Sequence, residues 1–206
     1  MKIALVGSTG RVGSHVAREA LDRGHAVRCL LRAQVDLFDP EALAQALRGQ
    51  EVLVSAYGAP ADAPQLLAQA TRSMVQAVRA AAVRRIITVG GAGGLAVRPG
   101  VRLADTDGFP SALLPKVGAH EDAVAVLAAS GLDWTCLAPA AQIGPGERTA
   151  RYRLALGALV RDAEGRSSIS YEDFACALLD ELEAGHYMRQ VVGTGSAASA
   201  VIIPKA

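Results

Sequence analysis

The sequence predicts an α/β fold, a doubly wound parallel sheet in a single domain whose third strand is short or missing. Strand-like and helix-like segments alternate along the 206 residues, the pattern of a parallel sheet covered by helices on both faces. The composition is 51% hydrophobic and only 4% aromatic, which suits buried strands flanked by small-residue helices better than a β-sandwich. A glycine loop falls directly between the first strand and the first helix, where such a sheet would present a ligand site. The length supports one sizeable core and is short for two full α/β domains, so one domain is expected over residues 1–206, with a small substrate-side region within 140–206.

The elements follow in order. Residues 3–6 form a short apolar strand, and residues 12–23 a helix with Val12, Val16 and Ala20 on one face, ended by Gly24. Residues 26–31 are the second strand. Asp39 caps the next helix, 41–47, with Pro40 in its first position. Residues 52–56 are a strand, 64–82 a long amphipathic helix, and 85–89 a strand that leads into a glycine-rich loop at 90–94. The stretch 95–110 has no sustained period and reads as a long loop, a kind of segment that often carries function. Residues 113–129 are helical up to Gly131, and 134–137 form a strand stopped by Pro139, with Trp134 a core residue. From 142 to 165 the pattern is too weak to assign a type. Ser170 caps a last helix over 171–183, whose Phe174, Leu178 and Leu182 share a face, and Val191-Val192 closes a sheet of about six strands.

One spacing breaks the alternation. Three residues separate Arg32 from Asp36, whereas adjacent parallel strands need a crossover of about a dozen or more. Four residue steps reach at most roughly 14 Å, so Val35 and Asp36 stay near the carboxyl edge of the second strand, and the third strand is lost or reduced to a stub.

Bulk properties exclude several classes. The net charge is +1 with basic residues spread along the chain, so no nucleic-acid partner is expected. Cys29, Cys136 and Cys176 are odd in number, far apart and set in apolar segments, and read as reduced core thiols. No cysteine or histidine spacing suggests a metal site. Met1-Lys2 leads straight into a strand, and no apolar run is long enough for a bilayer. A cytoplasmic protein with no membrane partner is expected.

The chemistry concentrates in the loop Gly7-Ser8-Thr9-Gly10-Arg11-Val12-Gly13. Gly7 permits a tight turn, Gly10 lets backbone amides approach a pyrophosphate, and Gly13 allows close packing of helix on strand. The unpaired first-turn amides and the helix dipole attract phosphate. The reading is a Rossmann-type dinucleotide site. At the end of the second strand stands Arg32, where an NAD-selective site usually carries Asp or Glu against the ribose hydroxyl. Arg32, with Arg11 able to close on the same group, predicts a preference for NADP(H), with NAD(H) possible and Asp36 softening the choice.

Order and spacing add a resemblance over nearly the whole chain. The glycine loop, Leu31-Arg32, Asp36-Leu37-Phe38-Asp39-Pro40, Ser55-Ala56-Tyr57-Gly58, Val89-Gly90-Gly91-Ala92-Gly93 and Ser130-Gly131-Leu132-Asp133-Trp134-Thr135 followed by Ala138-Pro139 resemble the atypical short-chain dehydrogenase/reductase branch. Within it, they are most similar to the NAD(P)H-binding group that contains biliverdin reductase B and the NADH-flavin reductase-like proteins. The resemblance implies that Asp36 and Leu37 flank the adenine, that Ala56, Tyr57 and Gly58 run under the pyrophosphate and ribose, and that Gly90, Gly91, Pro139 and Ala140 border the nicotinamide.

The sequence departs from that superfamily at the proton-transfer set. Many short-chain reductases use a serine and a Tyr-x-x-x-Lys pair. Here the tyrosine position falls on Lys116, the lysine position on His120, and the serine position within Gly90-Gly91. The histidine that follows the proline pair in biliverdin reductase B is replaced by Ala141. Lys116 and His120 are the candidate catalytic side chains, expected to modulate turnover. A flavin, quinone or similar conjugated acceptor fits such a site, because it can take hydride without a dedicated acid. An NmrA-like sensor that binds dinucleotide without turnover is the main alternative. A sugar-nucleotide epimerase or dehydratase is disfavoured by the missing Tyr-x-x-x-Lys and the short chain after Pro139.

Overall fold

A computed structural model describes residues 1–197 and the backbone of Ala200–Val201. In chain order the strands are β1 (Lys2–Val6), β2 (Ala26–Leu30), β3 (Val52–Ser55), β4 (Arg85–Val89), β5 (Ala96–Arg98), β6 (Val101–Arg102), β7 (Asp133–Ala138), β8 (Gln142–Gly144), β9 (Tyr152–Leu156), β10 (Arg161–Asp162), β11 (Ser168–Ser170), β12 (Gln190–Ser196) and β13 (Ala200–Val201). The helices are α1 (Arg11–Asp22), α2 (Pro40–Leu47), α3 (Leu66–Ala80), α4 (Leu114–Ala128) and α5 (Tyr171–Ala184).

Seven strands form the main sheet in the order β2-β1-β3-β4-β7-β12-β9. Neighbours run parallel except β9, which is antiparallel to β12. This is a Rossmann-type fold. The central strands β1 and β3 are apolar runs buried on both faces, as parallel strands covered twice must be. Helices α1 and α5 pack together over one face, around Val16, Phe174 and Leu178. Helices α2, α3 and α4 cover the other, around Leu43, Met74, Leu127 and Trp134. Successive crossovers leave β1 in opposite directions, one towards β2 and one towards β3, so the carboxyl ends of β1 and β3 flank the crevice where such sheets bind ligands.

Local signals set the helix boundaries. Asp39 Oδ1 accepts hydrogen bonds from the amides of Glu41 and Ala42 at 2.9 and 3.1 Å. Ser170 Oγ accepts from the amide of Asp173 at 3.0 Å. After α1, Gly24 takes a left-handed φ of +80°, which ends the helix with no Cβ penalty.

The third strand is absent. After Leu30 the chain runs through turns closed by Gln34 N to Leu31 O at 2.8 Å and Asp39 N to Asp36 O at 3.2 Å, then enters α2. Three expectations change. The unassigned region holds β9, and this strand, not Val191-Val192, closes the sheet; β12 lies one strand further in, so the sheet has seven strands. The loop at 95–110 contains the short β5–β6 hairpin and one 3-10 turn, Leu103–Asp105. Cys29 is not a core thiol. With no third strand beyond it, β2 is an edge strand and Cys29 is exposed, while Cys136 and Cys176 are buried. No helix among the described residues is long and apolar enough to cross a membrane.

Candidate functional site

The glycine loop is held by backbone contact. Gly10 N donates to Gly7 O at 3.0 Å and Ser14 N to Gly10 O at 2.9 Å, while Ala56 N donates to Val6 O at 2.9 Å and brings the turn after β3 beside the loop. Gly7 has φ +78°, and a Cβ there would lie 2.6 Å from Ala56 O; at Gly13 it would lie 2.0 Å from Gly7 O. Neither position has room for a side chain. Helix α1 starts with no side-chain cap and no acidic residue in its first turn, so its leading amides and dipole are available to an anion. This crowded turn under an uncapped helix end fits the pyrophosphate of a dinucleotide.

Two cavities lie along the carboxyl edge, one against that turn and one at the ends of β4 and β7. The first, of about 810 Å³, is walled by Gly7, Ser8 and Thr9, by Arg32, Asp36 and Leu37 from the turns that replace strand three, and by Tyr57. Arg32 is exposed and makes no hydrogen bond or ion pair among the described residues. Asp36 accepts the amide of Phe38 at 2.9 Å. Phe38, which the sequence reading passed over, also lines this cavity and meets Tyr57 edge-on, ring centroids 6.4 Å apart. Burial raises the Tyr57 pKa and the Arg32 charge opposes the rise, so the phenol stays protonated.

The second cavity, of about 440 Å³, brings together Gly91, Lys116, His120, Pro139 and Ala140. Its floor includes Cys136, and the segment after β6 supplies Leu103, Phe109 and Leu113. Only the length of the 95–110 loop hinted at that contribution. The His120 ring lies against Gly91, where a Cβ would approach its Cδ2 to 2.8 Å. The imidazole fills the space of a side chain on the loop, which is a steric reason why no serine stands at Gly91. Burial, with the Lys116 charge adding to it, holds the His120 pKa down to about 4. Near neutral pH it is an uncharged hydrogen-bonding group.

Not every candidate reaches a cavity wall. Gly10, Arg11, Val12 and Gly13 form the start of α1; Ala56 and Gly58 border the turn; Gly90 is buried behind Gly91. Arg11 is exposed and does not share the wall that carries Arg32. Trp134 is a core residue at 5% exposure.

A family model described as NAD(P)H-binding matches residues 33–184. The uncharacterized protein YwnB of Bacillus subtilis (strain 168) is 34% identical over 199 residues, covering 89% of this chain and 92% of its own. A crystal structure from Burkholderia pseudomallei, named "putative exported protein", has a TM-score of 0.89 at 44% identity, covering 95% of this chain and 99% of that one. Another from Streptococcus pneumoniae TIGR4, named "putative NADH-flavin reductase", has a TM-score of 0.87 at 32% identity, with the same coverage.

Proposed function

The chain belongs to the NAD(P)H-binding family, and from that premise we propose that it is an NAD(P)H-dependent oxidoreductase delivering hydride to a flavin, quinone or similar conjugated acceptor. One observation carries this reading: the crowded glycine turn under an uncapped helix end walls a large cavity holding Arg32, and a smaller, mostly apolar cavity walled by Gly91, His120 and Pro139 opens at the ends of neighbouring strands of the same sheet. The name of the Streptococcus relative points the same way. The nicotinamide supplies the hydride when the cofactor is bound. In this proposal the first-turn amides of α1 hold the pyrophosphate; Arg32 answers a 2′-phosphate and so favours NADP(H) over NAD(H); Asp36, Leu37 and Tyr57 enclose the adenosine. Gly90, Gly91, Pro139 and Ala140 border the nicotinamide end.

His120 is uncharged near neutral pH and touches the loop backbone, so its role is to shape the cavity and offer a hydrogen bond to the acceptor. Lys116 and His120 tune turnover; they do not replace a tyrosine–lysine acid pair. The second reading is a sensor that binds the dinucleotide without turnover, favoured by the absence of that acid pair at Gly90-Gly91, Lys116 and His120. An anaerobic NADPH-oxidation screen with FMN, FAD, quinones and biliverdin decides, run beside titrations of NADPH and NADP⁺. Turnover with any acceptor supports the reductase; tight cofactor binding with no turnover in the whole screen sinks it and leaves the sensor. A cytoplasmic setting, where reduced cofactor is available, belongs to the same proposal. The name of the Burkholderia relative points to the opposite compartment, and fractionation of the producing cells tells them apart.

A further inference from the structure

The acceptor cavity carries a charge that nothing else among the described residues uses. Lys116 lies on its wall, exposed, with no hydrogen bond or ion pair among those residues. The other ionisable groups there are committed or neutral. Glu121 is ion-paired to Arg102, which also holds Asp105 at 2.7 Å. His120 is uncharged near neutral pH, and burial pushes the Cys136 thiol up to about 11. Lys116 is also badly placed for its own helix. It is the third residue of α4, in a first turn with no acidic residue and no side-chain cap, where a cation opposes the helix dipole. Among the described residues this lysine opposes its helix and pairs with no side chain, and it faces a cavity whose apolar wall includes Leu103, Phe109, Leu113 and Ile143.

We propose, resting on the hydride-transfer reading above, that this site selects conjugated acceptors bearing an anionic substituent, a phosphate or carboxylate, and that Lys116 is the residue that selects them. An apolar wall takes the planar ring, and the ammonium answers the anion through a charge-assisted hydrogen bond. A neutral quinone has no group to meet it. One such contact changes affinity by roughly ten-fold or more.

FMN and riboflavin test this, because they share one ring system and differ by the phosphate. Binding of each flavin to the NADP⁺-loaded protein is read by flavin fluorescence, and kcat/KM with NADPH is measured anaerobically, for wild type, Lys116→Ala and Lys116→Glu. The expected result is FMN preferred by about ten-fold or more in wild type, the FMN-to-riboflavin ratio near one in Lys116→Ala and inverted in Lys116→Glu, and the wild-type preference shrinking as salt is raised. The Tm of Lys116→Ala does not fall, since the lysine opposes its helix. Equal binding of the two flavins by wild type, loss of both in the same proportion in the variants, or binding of neither overturns the proposal. If FMN selection depends on Lys116 but neither flavin oxidises NADPH, the hydride-transfer reading fails and anion selection stands. If both flavins turn over with equal kcat/KM, the reverse holds.

Discussion

Arg32 and His120 show how much depends on what surrounds a side chain. Arg32 stands two residues beyond the end of β2, is exposed, and has no hydrogen bond or ion pair among the described residues, so its charge is available to a ligand in the larger cavity. Replacing it with alanine should remove one charge-assisted contact, about 1.5–3 kcal/mol, or roughly ten- to a hundred-fold in affinity, for NADPH but not for NADH. Dissociation constants of both cofactors for wild type and Arg32→Ala check this; equal weakening of the two would detach Arg32 from the 2′-phosphate. His120 is the opposite case, a group whose neighbours suppress its charge. Its folded pKa of about 4 lies below the ordinary imidazole value of 6.5, so the unfolded chain takes up this proton first as pH falls. Stability is therefore full above about pH 6.5 and declines towards pH 4, by up to about 3 kcal/mol. Urea titrations across that window should show the decline in wild type and a flatter profile in His120→Asn. Sequence alone named both residues. It did not foresee that His120 is half-buried, because it packs against Gly91, 29 positions away.

At the scale of elements, the well-read parts are those whose causes are local. Asp39 caps α2 and Ser170 caps α5 where the sequence places them, and the short step from Arg32 to Asp36 left room for no more than a stub of a third strand. Segments held by distant partners were not legible. The stretch from Gln142 to Leu156 has no clean period because its position comes from contacts across the chain: Arg148 Nε donates to Glu19 Oε2 at 2.8 Å, Thr149 N donates to Asp173 Oδ1 at 2.7 Å, and β9 pairs with β12. Cys29 was misread for a related reason, since an apolar segment says nothing about whether a neighbouring strand exists to bury it. Glu19, at 4% exposure, fastens this stretch to α1. Hydrogen bonding from Arg148, partly offset by burial and reinforced by Arg23, holds its carboxyl at about 2. The unfolded chain, with a value near 4.5, takes up that proton first, so this contribution is present above about pH 4.5 and is lost towards pH 2, up to about 3 kcal/mol. Arg148→Ala should shrink this acid limb while leaving the His120 window untouched. Acid unfolding followed by circular dichroism measures it, and an unchanged limb would mean that Arg23 alone holds the carboxylate.

For the whole molecule, the three cysteines form a built-in set of reporters. Cys29 lies on the open edge strand, Cys136 in β7 beneath the acceptor cavity, and Cys176 in α5 on the opposite face of the sheet. A thiol reagent should therefore modify Cys29 in the native protein, while Cys136 and Cys176, at 4% and 0% exposure, wait for opening of the core. The helices of both faces pack on one continuous sheet, so the two layers should open together and label the buried thiols at the same rate when opening is fast relative to labelling. NADPH binds only the folded chain in this picture, and at a hundred times its dissociation constant adds about 2.7 kcal/mol, which slows both buried sites about a hundred-fold and leaves Cys29 labelling unchanged. Mass spectrometry of timed labelling reads all three sites in one experiment. Equal slowing of Cys136 and Cys176 ties cofactor binding to the stability of the whole sheet. Slowing confined to Cys136 would mean that the cofactor shields the floor of its own site while α5 opens independently, and the single cooperative unit would have to be given up.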